Sequence, residues 1–339
     1  MSITLIIIIS LVLGVIFVNG WTDAPNAIAT AVSTRVLPPR LAVILAAIFN
    51  LLGALIMTWF SAEVAETIGT MVSFDFGTKS QQLAVLAGGL FSIVLWATAA
   101  WIFGIPTSES HALIAGITGA ALALGGISSI NMQQWSKVLW GLVISSGLGL
   151  GSGFLAAKFI QWAFKNVHRK ISNKIFTYGQ AGGAAAMAFM HGAQDGQKFM
   201  GVFMLGLYMN GLTAMTPSNS FKIDIWVILL CSLVMGIGTS VGGYRIIKSV
   251  GMDMVKLEKY QGFAADIAAA GVLLLSTVFG IPVSTTHTKT TAIMGVGTAR
   301  RASAVNWRVV IEMGMAWVLT FPCCGLIGYL TGKLFLKIF

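Results

Sequence analysis

Two stretches of the chain, FGIPTSESH from Phe103 to His111 and FGIPVSTTH from Phe279 to His287, place hydroxyl side chains directly behind a Gly-Ile-Pro break. Gly104 and Pro106 stop one helix, and Ser108 or Ser110 is suited to N-cap the next, which runs through Ala112 to Ala123. Gly280, Pro282, Ser284, Thr285 and Thr286 repeat the pattern. Each tip would present free backbone N–H groups, hydroxyl donors and the positive end of a helix dipole, a setting that attracts an anion. Thr107 supports the first tip, and His111 and His287 are placed to hold the two tips in position. The structural alternative is a pair of Gly/Pro kinks whose hydroxyls bond back to nearby carbonyls, and the repetition weighs against it.

Two aspartates supply the opposite charge. Asp23 in NGWTDAPNAIAT and Asp195 in HGAQDGQK both lie in apolar surroundings, where an ionised carboxylate must face a polar cavity and needs a cation or a proton. A hard cation such as sodium, held by Asp23 and Asn26 with broken-helix carbonyls in one half and by Asp195 with Gln194 or Gln197 in the other, would meet that need. The alternative is that local N–H groups satisfy both carboxylates. Lys198 stands one turn from Asp195, placed to neutralise it or to contact substrate. Glu109 puts a carboxylate beside the expected anion site, and Lys289 is positioned in sequence to offset it. Neither histidine belongs to a metal-binding constellation.

These residues have to be positioned within a membrane. The 339 residues are 56% hydrophobic and 9% charged, with a mean hydropathy of +0.86, outside the range of soluble domains. Apolar segments of spanning length read near 2–20, 40–60, 83–103, 137–162, 178–209, 224–244, 261–280 and 309–336. The first has no basic leader and no small-residue cleavage site, so it reads as a retained helix. Cys231, Cys323 and Cys324 sit in apolar segments and imply neither disulfides nor a metal site. The formal charge of +10 is spread over short loops beside the spans, a membrane-topology signal rather than a nucleic-acid footprint. Gly147 with Gly151, Gly149 with Gly153, and Gly238 with Gly242 have the spacing of close helix contacts.

The chain is written twice. The Gly-Ile-Pro motifs recur 176 residues apart, and FVNGWTD is echoed by FMHGAQD 172 residues later. Glu63, Glu66, Asp75 and Lys79 precede the first motif with a net charge of −2, whereas Arg245, Lys248, Asp253, Lys256, Glu258 and Lys259 precede the second with +2. Opposite bias at equivalent loops places them on opposite sides of the membrane. The expected fold is an all-α polytopic membrane protein of two inverted-topology repeats, each with three crossings or broken helices and one re-entrant helical hairpin. The repeats cover 1–162 and 178–339, the hairpins about 83–126 and 261–298, with a basic cytoplasmic linker at 163–177 and both chain ends outside.

NGWTDAPNAIAT with HGAQDGQK, and GIPTSESH with GIPVSTTH, resemble the duplicated signatures of the inorganic phosphate transporter (PiT) family over nearly the whole chain. The resemblance implies phosphate bound at Ser108, Ser110, Ser284, Thr285 and Thr286, with sodium at Asp23, Asn26 and Asp195. It implies symport with sodium or protons as coupling ions, no cofactor, and a homodimer in the lipid bilayer of the cell membrane. The chain departs from the family pattern at Gln194, at Gln197-Lys198 and at Glu109, and has only a short basic loop, Lys165 to Lys174, between its halves. The function expected is a secondary active phosphate symporter driven by a cation gradient, with at least two sodium ions per divalent phosphate. A proton-coupled phosphate or sulfate permease is the alternative. An intramembrane enzyme using His111, His287 and the aspartates is disfavoured by the duplication, and so is an anion channel by the sign of the aspartates.

Overall fold

A computed structural model describes residues 3–105, 107–213, 222–241 and 247–338. Pro106, Gly242 and Arg245, each used in the sequence reading, lie outside the described residues. Apart from two isolated bridges, the described residues form helices and connecting turns. Among the described residues, seven helical stretches are long and apolar enough to cross a membrane.

The first of these is interrupted. Helix α1 (Ile3–Thr22) gives way to α2 (Pro25–Ser33) because Pro25 has no N–H to continue the ladder. The chain turns through Asp23 and Ala24, whose amides both bond to the Asn19 carbonyl. Helix α3 (Pro39–Phe60) and the short α4 (Glu63–Thr70) lead to α5 (Lys79–Phe103) and α6 (Glu109–Gly125). Helix α7 (Met132–Ala163) completes the first half.

The second half opens with α8 (Arg169–Met209). It begins inside the stretch read as a linker, because no Gly or Pro interrupts the sequence before Gly179 and the His168 side chain caps the Lys170 amide. At the position equivalent to Pro25 it carries Gln197 and stays unbroken. Its middle is polar, and every residue from Met190 to Leu207 is buried inside the protein. Helices α9 (Ile225–Val241), α10 (Lys259–Val278), α11 (Thr285–Arg300) and α12 (Trp307–Ile338) follow.

The two halves exchange partners. Helix α1 packs on α9 while α8 packs on α3, and α6 packs on α12 while α11 packs on α7. Glycines permit the approach: a Cβ on Gly53 would fall 1.8 Å from the Phe189 carbonyl oxygen, and one on Gly238 would fall 2.3 Å from that of Phe17. Phe17 and Phe189 are themselves equivalent in the two copies. Lipid offers hydrocarbon as readily as a neighbouring helix does, so such close packing supplies the association energy. Large apolar side chains including Trp59, Phe60 and Phe103 remain on the outer surface.

Each hairpin closes at its base. Val72 before α5 pairs with Ile130 after α6, and Val255 before α10 pairs with Val305 after α11. Both arms of each pair therefore start and finish together, with Gly104 and Gly280 at the far tips.

Candidate functional site

The tips are built by helix ends. Gly104 and Gly280 adopt left-handed backbone angles, φ 68° and 59°, which turn the chain out of α5 and α10 without a Cβ clash. Ser108 then caps α6 by accepting from the His111 amide at 3.4 Å, and Ser284 caps α11 by accepting from the His287 amide at 3.1 Å. The first-turn N–H groups of both helices have no intrahelical acceptor. The two caps meet, with their hydroxyl oxygens 2.8 Å apart. Ser110, Thr285 and Thr286 flank this contact and are buried.

Both aspartates stand beside the tips. Asp23 accepts from the Thr286 hydroxyl and, at 2.6 Å, from Asn26 Nδ2. Asp195 accepts from Lys198 Nζ at 2.6 Å through Oδ1, and from Asn19 Nδ2 at 3.1 Å through Oδ2. Thr285 lies between them, 3.5 Å from Asp23 Oδ2 and 3.3 Å from Asp195 Oδ2. His191 completes the cluster, with Nε2 3.3 Å from Asp195 Oδ2 and Nδ1 3.1 Å from Asn50 Oδ1. One ligand atom from each of Asp23, His191 and Asp195 lies within 4.8 Å of the others.

Several oxygens here are buried with nothing donating to them among the described residues: Asn19 Oδ1, Asn26 Oδ1, Gln194 Oε1 and Gln197 Oε1. An unpaired buried amide oxygen costs about 1–3 kcal/mol. Acceptors beside two carboxylates form the donor set that a hard monovalent cation takes, so the residues present fit sodium.

The remaining expected residues divide. Gln194 Nε2 donates to the Ile281 carbonyl at 3.1 Å, linking α8 to the second tip, while neither amide atom of Gln197 has a protein partner among the described residues. His111 and His287 pack on each other with ring centroids 4.3 Å apart. His287 stacks on Trp317, and His111 Nδ1 lies 3.2 Å from the Trp317 carbonyl, so both tips rest on α12. Thr107 is buried on the approach to the first tip. Glu109 accepts from Thr22 Oγ1 at 3.0 Å.

Lys289 does not offset Glu109. It pairs with Asp266, and its Nζ lies 3.1 Å from Thr30 Oγ1. Gln180 Nε2 donates to the other Asp266 oxygen at 2.7 Å. Lys289 and Asp266 are both completely buried. An aspartate in an apolar span was signal enough to look for a partner. Asn19 and His191 were also missed, although they are equivalent positions four residues before the two aspartates.

Comparison with known proteins identifies the family of the chain. Residues 19–328 match the model of the phosphate transporter family. The chain is 40% identical over 314 residues to a probable low-affinity inorganic phosphate transporter of Rhizobium meliloti (strain 1021), covering 93% of this chain and 91% of that protein. A protein of the same description from Bacillus subtilis (strain 168) is 36% identical over 323 residues, 95% and 94% of the two chains. A solved structure, the sodium-dependent phosphate transporter, superposes with a TM-score of 0.89 over 99% of this chain and 100% of its own at 22% identity, which establishes the fold. The chain is an integral membrane protein with the architecture of a membrane carrier. It belongs to the phosphate transporter family.

Proposed function

We propose that the chain is a secondary symporter that carries inorganic phosphate across the cell membrane by alternating access, driven by a cation gradient. Phosphate would be held between the tips by Ser108, Ser110, Ser284, Thr285 and Thr286 and the first-turn amides of α6 and α11. A sodium ion would lie beside it, held by Asp23, Asn26 and Asp195, with Gln194 and Gln197 at the edge of the site. The observation that carries this reading is the set of buried, donorless amide oxygens grouped around two carboxylates and directly against two capped helix N-termini. Cation and anion sites in contact couple electrostatically, since each ion lowers the desolvation penalty of the other.

Alternating access calls for repeats of opposite orientation. The exchanged helix partners support that arrangement, as do the hairpin bases. Among its charged residues, the cleft at the Val72–Ile130 bridge is lined with Glu66 and Asp75, whereas the cleft at the Val255–Val305 bridge is lined with Lys256, Arg300 and Arg301 against Asp253. The base lined with Lys and Arg belongs on the cytoplasmic face, and the base that lacks them fits the opposite one.

The test is phosphate uptake into proteoliposomes with sodium and pH gradients imposed separately, on the wild type, Asp23→Asn and Asp195→Asn. A sodium gradient should drive accumulation in the wild type, and both variants should lose it. Accumulation driven by the pH gradient alone would make the carrier proton-coupled, and flux indifferent to both gradients would end the symporter reading. Excess sulfate as a competitor of labelled phosphate tests the choice of anion.

A further inference from the structure

The offset that carries Asp23 onto Asp195 also carries Asn26 onto Lys198, and the hairpin offset carries Ser110 onto Thr286. The contacts obey the same correspondence. Asn26 Nδ2 reaches Asp23 at 2.6 Å and the Thr286 hydroxyl at 3.3 Å. Lys198 Nζ reaches Asp195 at 2.6 Å and the Ser110 hydroxyl at 2.7 Å. In each half, then, the residue one turn beyond the aspartate touches that aspartate and a hydroxyl from the other half's tip.

The two halves differ in charge. Asn26 leaves an amide oxygen free beside its carboxylate. Lys198 brings an ammonium whose three donors are all used, the third on the Val283 carbonyl at 2.5 Å. A carboxylate, a hydroxyl and a backbone carbonyl around one positive centre are the oxygen ligands of a hard cation. Lys198 is fully buried, and its three donors are met by these protein oxygens.

We propose that Lys198 is a tethered cation: its ammonium permanently fills the second of two equivalent ion positions, leaving one exchangeable cation position, at Asp23 and Asn26 with Oδ2 of Asp195, the oxygen that Lys198 does not hold. This rests on the reading of Asp23 and Asn26 as cation ligands. It replaces the expectation of two sodium ions per cycle, because the repeat-equivalent pair Asp23 and Asp195 together with the Lys198 ammonium leaves a single negative charge between them to neutralise. With one sodium, divalent phosphate crosses as a net negative charge and monovalent phosphate as a neutral complex.

The proposal is tested by counting radiolabelled sodium bound to the purified full-length chain, wild type against Lys198→Asn, with phosphate/phosphate exchange measured on the same preparations in vesicles. Lys198→Asn should bind about one more sodium ion per chain than the wild type, since it restores the ligand set of the first half. Lys198→Ala should lose about tenfold or more of the exchange rate, and millimolar sodium or ammonium should restore it by supplying the missing charge. Equal sodium counts in the wild type and Lys198→Asn overturn the proposal. So does a Lys198→Ala protein that no small cation restores, an outcome that can be read even where Lys198→Asn fails to fold. Absence of exchange in the wild type is a different result and counts against phosphate transport itself.

Discussion

The hydroxyls of Ser108 and Ser284, 176 residues apart in sequence, share one hydrogen bond of 2.8 Å at the meeting point of the two hairpin tips. Each serine also caps its own helix, so each contributes to a helix end and to the junction between tips. Removing either hydroxyl forfeits the same shared bond. Ser108→Ala and Ser284→Ala should each cost about 1 kcal/mol of stability through the lost cap. Their effects on phosphate uptake should be strongly non-additive, the double variant being little worse than either single one. Melting temperatures and initial uptake rates of the three variants check this.

Thr286 donates its hydroxyl to Asp23 while its neighbour Thr285 reaches both aspartates. A hydrogen bond to a charged group is worth about 1.5–3 kcal/mol. Thr286→Val should therefore weaken the apparent affinity for the coupling cation by about tenfold or more, and Thr286→Ser should retain it. The measurement is the cation concentration giving half-maximal phosphate uptake; equal values for the Val and Ser variants would refute the assignment.

The Lys289–Asp266 pair has no counterpart in the first half. The offsets of 176 and 172 residues carry Asp266, Lys289, Thr30 and Gln180 onto Leu90, Leu113, Val202 and Ile8, all buried apolar residues. Lys289→Leu leaves the Asp266 carboxylate buried without its cation and should destabilise the protein by about 3–5 kcal/mol. Asp266→Leu combined with Lys289→Leu should recover most of that loss, since the other half packs leucines at both places. Thermal melts of the single and double variants decide it.

Gly53 and Gly104 should respond oppositely to alanine. A Cβ at Gly53 meets the Phe189 backbone, which cannot move aside without separating α3 from α8. A Cβ at Gly104 meets nothing within 4 Å and pays only for its left-handed backbone, about 1–2 kcal/mol. Gly53→Ala should yield little monodisperse protein on size exclusion in detergent, whereas Gly104→Ala should purify normally.

Much of this site could be read from the sequence because its chemistry is duplicated and stands out against apolar surroundings. Asp23, Asp195 and the hydroxyls after each Gly-Ile-Pro break were visible for that reason. Asn19 and His191 were not, since an amide and an imidazole at equivalent positions do not look alike, although both reach Asp195. Asp266 escaped, and Lys289 was given the wrong partner, because only one half carries the pair and their 23-residue separation spans a hairpin whose arms had first to be paired. The direct contact of Ser108 with Ser284 depends on how far each tip reaches, and spacing along the chain does not encode reach. The bridges at the hairpin bases are single residue pairs with no strand pattern to announce them.

The exchange of helix partners bears on how the protein is made. Helix α6 finds its neighbour in α12 and α1 finds its neighbour in α9, each delivered by the ribosome only after the chain has passed its midpoint. In a chain made from its N-terminus, those faces of α1 and α6 stay unmatched until the second half follows. The exposed face of α6 is covered only when α12 closes over it.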